Sequence, residues 1–172
     1  DTCELAPSES IKTNIEGPQN VVKVINKNLN NISCDTVLMV STDKACEPVN
    51  VYGMCKSISE RVVTSQASYY DSKRIKFIGT RYGNVLDSRG SIIPLFKYQA
   101  KNNDCITITD DRMTRFVMTL DESVKLIIDA INIAKSGEIL IPKLKAMKIK
   151  DLAQIYANIS KKPVKTIGIR PG

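Results

Sequence analysis

Two short runs constrain this chain most: Thr36-Val37-Leu38-Met39-Val40-Ser41 and Ile75-Lys76-Phe77-Ile78-Gly79-Thr80. Both are apolar, partly β-branched and bounded by polar residues, the pattern of strands buried on both faces of a parallel sheet. Between them, from about Val49 to Tyr69, Val51, Met54, Cys55, Ile58, Val62 and Val63 make the apolar side of a helix. A strand, a helical crossover and a second strand form an α/β unit whose ligands sit beyond the C-terminal strand ends. The polar clusters Ser41 to Lys44 and Arg81 to Asn84 fall at those ends.

Upstream, Ile11, Ile15, Val22, Ile25 and Leu29 recur at helical steps from Ser8 to about Leu29. Pro18 either kinks this helix or starts a second one. Beyond Asp87 the pattern predicts a helix over Ile92 to Ala100, a strand over Ile106 to Ile108 and a polar DDRMTRF loop. Helices over Asp121 to Lys135 and Ile149 to Ile159 follow, with Glu138 to Ile141 as a strand stopped by Pro142 and Val164 to Ile169 after the last helix. Neither GxGxxG nor GxxxxGK[ST] occurs, so no Gly-rich turn brings backbone N–H groups onto a phosphate. With two convincing parallel strands the sheet also lacks neighbours, and the expectation is an interior piece of a larger protein.

The 172 residues, 42% apolar and 25% charged, suit one globular core and exclude a disordered or fibrous chain. No run approaches the ~18–20 apolar residues of a membrane-spanning helix, and DTCELAPSES lacks the features of a secretory signal. Five cysteines without a CxxC pair, and no histidine, argue for reduced thiols in a cytoplasmic protein and against a metal site or a Ser-His-Asp nucleophile. The net charge of +7 is spread among 18 acidic residues, and aromatic residues make up 5%. That gives poor support for a stacking platform for single-stranded nucleic acid, and a phosphate-bearing small molecule fits at least as well.

Tyr52 and Lys56 lie four residues apart on one helix face. An ammonium beside a phenol favours phenolate and turns tyrosine into an acid–base group near neutral pH. The plain alternative for the pair is a solvated helix face. Thr42, Asp43 and Lys44 end the preceding strand, adding a hydroxyl, a carboxylate and an amine; their alternatives are a capping residue and a loop ion pair.

Four motifs in order, STDKACEPVNVYGMCK (Ser41 to Lys56), RYGNVLDSRGSIIPLF (Arg81 to Phe96), ITDDRMTRF (Ile108 to Phe116) and IGIRPG (Ile167 to Gly172), carry a resemblance. Together with SESIKTNIEGPQNV near the start, they closely resemble the inverting, soluble UDP-N-acetylglucosamine 4,6-dehydratases, a group of the extended short-chain dehydrogenase/reductase superfamily. The resemblance implies a partial Rossmann-type sheet with a smaller substrate-binding part. Residues 1–86 would be the second half of the NADP-binding domain with the catalytic motif, and 87–172 the nucleotide-sugar part. It also implies an internal redox cycle, in which NADP takes hydride from C4 of the sugar, water leaves across C5 and C6, and hydride returns to C6.

Carried over by residue, Tyr52 resembles the base for the C4 hydroxyl, with Lys56 lowering its pKa and binding nicotinamide ribose. Thr42 resembles a hydrogen-bonding partner of that hydroxyl, Lys44 the base for the C5 proton, and Asp43 the acid for the departing C6 hydroxyl. Tyr82, Gly83 and Asn84 resemble the segment against the nicotinamide, with Asn84 also on the substrate. Ile92, Ile93, Pro94, Leu95 and Phe96 resemble a nucleotide-site wall, with helix core as the alternative. Arg115 and Arg170 resemble pyrophosphate clamps, while Arg112 reads better as surface charge. Met54-Cys55 and Cys46-Glu47 depart from the pattern in helix packing more than in chemistry. Copies of the chain are expected to pair through the helices at Ser8 to Leu29 and Val49 to Tyr69. The rival readings are a nucleotide-sugar 4-epimerase or related dehydratase, and a catalytically incomplete remnant serving assembly.

Overall fold

The computed structural model describes residues 2–69, 74–88 and 90–168. Helical structure opens the chain as α1 (Thr2–Leu5), α2 (Pro7–Ile11), a π turn over Lys12–Glu16 and α3 (Gly17–Lys27). Pro18 sits in the first turn of α3, directly after the π turn, in which the Gly17 N–H bonds to the Lys12 carbonyl and the helical path continues through the proline. Then come β1 (Thr36–Thr42), a 3-10 turn over Asp43–Ala45, α4 (Val51–Thr64), α5 (Gln66–Tyr69) and β2 (Lys76–Tyr82). The rest is β3 (Asn84–Val85), α6 (Ile92–Asn102), β4 (Ile106–Ile108), β5 (Thr114–Met118), α7 (Leu120–Ile133), β6 (Ile139–Leu140), β7 (Lys145–Lys148), α8 (Ile149–Ser160) and β8 (Val164–Thr166).

The chain forms two compact units that interleave along the sequence. One holds residues up to Tyr82 with Val124–Pro142, and the other Gly83–Ser123 with the chain from Lys143 onward. The division read from the sequence is instead a single cut at 86/87.

In the first unit β1, β2 and β6 form a parallel sheet in the order β1-β2-β6, confirming the α/β reading. The strand β2 is buried from Phe77 to Thr80, which is why its residues run apolar instead of alternating. Val22 of α3 and Val63 of α4 pack with Met39, Ile75 and Phe77 on one sheet face. Ala130 of α7 packs with Ala134, Ile78, Leu38 and Leu140 on the other. Phe77 is fully buried, a burial worth about 1.5–3 kcal/mol. Glu60 of α4, 4% exposed, accepts from Arg81 of β2 through both oxygens, at 2.9 and 2.7 Å. That ion pair ties helix to strand just before the strand ends.

In the second unit β3, β5 and β7 make a mixed sheet, and β4 pairs in parallel with β8. Its core gathers Phe96, Ile106, Ile108, Ile149, Ala153 and Ala157. The polar DDRMTRF stretch is a loop only in its first half. From Thr114 it is strand β5, held between β3 and β7. The sequence KAMK of β7 carries no strand signal of its own, and its pairing with β5 makes it one.

Candidate active site

The parallel register sets Thr42 beside Tyr82 at the C-terminal ends of β1 and β2. The chain then turns sharply. Thr42 Oγ1 accepts from the Lys44 N–H at 3.4 Å and donates to Asp43 Oδ1 at 3.0 Å. Lys44 Nζ reaches the same Asp43 oxygen at 3.0 Å, so one carboxylate oxygen holds the hydroxyl and the amine together.

Two side chains, one local and one distant in sequence, fix the helix that follows. Asn50 caps α4, its side chain accepting from the Gly53 N–H at 2.8 Å, and Glu4 of α1 accepts from the Val51 N–H at 2.5 Å. Gly53 is required by contact: a Cβ there would lie 2.2 Å from the Lys44 carbonyl oxygen. The turn bearing Asp43 and Lys44 therefore rests directly on the helix bearing Tyr52 and Lys56. Replacing Gly53 by Ala is expected to cost about 1–3 kcal/mol by overpacking, read as a lower thermal midpoint.

Lys56 Nζ donates to the Val40 carbonyl at 2.8 Å, which leaves further donors on the ammonium. Burial pushes Lys56 below the usual lysine range. The phenol of Tyr52 moves the opposite way from the sequence expectation. Burial first, then the charges of Cys3 and Asp43, raise it above its ordinary value. The Lys56 ammonium is engaged with Val40, and in this state Tyr52 holds its proton at neutral pH. Replacing Asp43 by Asn removes one of the raising charges. Tyr52 is then expected to ionise at lower pH than in the parent, measured as the tyrosinate absorbance lost in a Tyr52→Phe background.

The second unit contains a pocket lined by Asn84, Ser91, Ile92, Ile93, Met113, Arg115 and Met147 among others. Asn84 Oδ1 and Ser91 Oγ are buried without hydrogen-bond partners among the described residues, and both belong to this wall. Ser91 stands at the start of α6 but does not cap it. Thus Asn84, Ile92, Ile93 and Arg115 share one cavity. Phe96 does not join them: it is core, fully buried, and Pro94 and Leu95 are not in the wall. Gly83 serves packing, because a Cβ would meet Leu144 at 2.6 Å and the Phe116 carbonyl at 2.8 Å. Arg170 lies outside the described residues. Arg112 is bound to Asp110 at 2.7 Å, the surface pair its spacing suggests. Ser91, Met147 and Glu4 were not legible as site residues, since their roles depend on contacts distant in sequence.

No metal-binding cluster and no helix long and apolar enough to cross a membrane occurs among the described residues. A family model described as polysaccharide biosynthesis protein matches residues 1–172. The chain is 43% identical over 171 residues to a UDP-N-acetylglucosamine 4,6-dehydratase (inverting) of Campylobacter jejuni subsp. jejuni serotype O:23/36, covering 98% of this chain and 49% of that protein. It is 40% identical over 173 residues to a UDP-glucose 4-epimerase of Rickettsia bellii, covering 99% and 50%. The X-ray structure of Pen from Bacillus thuringiensis superposes with a TM-score of 0.90 at 38% identity, covering 99% of this chain and 52% of that one. The chain therefore spans about half the length of the proteins it matches.

Proposed function

The chain belongs to the polysaccharide biosynthesis protein family, and on that premise we propose that it carries the catalytic residues of a sugar-nucleotide 4,6-dehydratase acting on UDP-N-acetylglucosamine with inversion at C5. The observation that carries the reading is Asp43, one oxygen of which holds both Thr42 and Lys44 while its charge acts on Tyr52. A carboxylic acid and an amine beside a phenol are what elimination needs. Simple epimerisation at C4 needs no such pair, so the epimerase alternative explains less of the site. The Campylobacter relative is named for the same reaction.

NADP is the cofactor of this proposal, with Tyr52, Lys56, Tyr82, Gly83 and Asn84 as its neighbours. The residues fit its ribose end: the Lys56 ammonium keeps free donors a turn from the phenol. This sequence holds no Gly-rich loop for its phosphates. When bound, NADP supplies the acceptor that takes hydride from C4 and returns it to C6. Once the Lys56 ammonium leaves the Val40 carbonyl for the phenol and Tyr52 ionises, Tyr52 takes the C4 hydroxyl proton, and Thr42 orients that hydroxyl. The 4-keto group so formed acidifies C5–H; a proton passed from the Lys44 ammonium to Asp43 along their 3.0 Å contact gives a free amine and a carboxylic acid, Lys44 then removes the C5 proton and Asp43 protonates the C6 hydroxyl as it leaves, which restores the ion pair.

Arg115 clamps the diphosphate, and Asn84, Ile92 and Ile93 hold the nucleotide. Copies of the chain pair through α3 and α4, where Val21, Val24, Met54 and Ile58 are exposed apolar residues. The five free cysteines suit a cytoplasmic location. The test is mass spectrometry of UDP-N-acetylglucosamine after incubation with the native-length protein and NADP. A product lighter by one water supports the reading, and a product of unchanged mass refutes it.

A further inference from the structure

The sheet β3-β5-β7 turns one face to the pocket of the second unit. Register places Asn84, Val117 and Lys145 side by side in one row across the three strands, with Arg115 opposite Met147 in the next. Four of these five residues line the pocket. Lys145 is the fifth on that face, exposed, two residues from Met147. Arg115 and Lys145 are thus diagonal neighbours across an antiparallel pair, roughly 7–8 Å apart and within mutual reach of long side chains.

Two cations so placed repel unless an anion lies between them, and no acidic residue lines the pocket. Neither forms an ion pair among the described residues, and Arg115 donates only to the neighbouring Thr114 carbonyl, at 2.9 Å. Elsewhere in the same unit Lys97, Arg112 and Lys150 are each paired with an aspartate. The cavity therefore has one unpaired cation in its wall, Arg115, a second on the same sheet face, Lys145, no acidic residue in its lining and two unpartnered buried oxygens.

We propose that Lys145 is a second phosphate-binding residue of this pocket, contacting one phosphate of a nucleoside diphosphate while Arg115 forks onto the other. A guanidinium matches phosphate in two parallel hydrogen bonds, whereas an ammonium acts as a point charge, so the pair divides a dianion. The proposal rests on the nucleotide-sugar reading of the pocket and adds a residue to it.

Calorimetric titration of the native-length protein with UDP and with uridine tests it. Lys145→Ala is expected to weaken UDP about tenfold or more, to leave uridine unchanged, and to be rescued by Lys145→Arg. Because Lys145 is exposed, folding should survive, which thermal unfolding of each variant checks. Equal loss for UDP and uridine, or no loss for UDP, overturns the proposal. Arg115→Ala separates the two levels. If it weakens UDP while Lys145→Ala does not, only the role of Lys145 fails; if neither changes UDP binding, the nucleotide reading of the pocket fails with it.

Discussion

Tyr52→Phe in the native-length protein is expected to lower the turnover of UDP-N-acetylglucosamine by about 10²–10⁴-fold, the usual worth of a positioned acid–base group. The ring is half-buried and keeps its packing in the variant, so substrate affinity should change by less than about twofold. The phenolic hydroxyl is the only group removed, and with it the acceptor for the C4 hydroxyl proton. Steady-state rates with calorimetric affinities measure both quantities. A variant as active as the parent would remove Tyr52 from the chemistry. An inactive parent would leave the family membership intact and make assembly, not catalysis, the function of the fold.

Arg81→Met should cost about 3–5 kcal/mol of folding stability, because it leaves a carboxylate buried without its partner. Glu60 is 4% exposed and takes both of its charge-assisted hydrogen bonds from Arg81, which is itself 21% exposed at the side chain. The guanidinium is held further above its already high range chiefly by that hydrogen-bonded contact with Glu60. Urea unfolding of Arg81→Met and of Glu60→Leu/Arg81→Met separates pair from packing. The double variant should recover most of the loss, since well-packed apolar residues often replace a buried ion pair without cost. A single variant as stable as the parent would mean that water reaches Glu60 and the pair is solvated.

The elements around the site were legible where burial is two-sided. β1 and β2 announce themselves because helices cover both faces of their sheet, so Leu38, Phe77 and Ile78 all had to be apolar. α4 was legible from its apolar side, though its expected start at about Val49 falls before Asn50, which caps it, and Val51, which begins it. β7 was not legible, because KAMK carries no apolar or β-branched run and only the register with β5 makes it a strand. The same register, invisible in the sequence, carries Lys145 onto the face of Arg115.

Spacing along a helix foretold that Tyr52 and Lys56 share a face but not the sign of the phenol's shift. That sign depends on burial and on Asp43, which reaches Tyr52 from a different element. Ile92 and Phe96, four residues apart on one face of α6, both pack in the core of the second unit, and of the two only Ile92 also lines the pocket. Glu4 holds the first turn of α4 from 47 residues away, a contact no local pattern contains.

Elimination at C5 and C6 is the claim on which the roles of Asp43, Lys44 and Tyr52 all depend. Its most direct measurement is the proton NMR spectrum of UDP-N-acetylglucosamine incubated in deuterium oxide with the native-length protein and NADP. The account predicts that the C6 hydroxymethyl signals give way to a methyl group, with deuterium from solvent at C5. A C4 epimer with an intact hydroxymethyl group and unexchanged C5–H would contradict it.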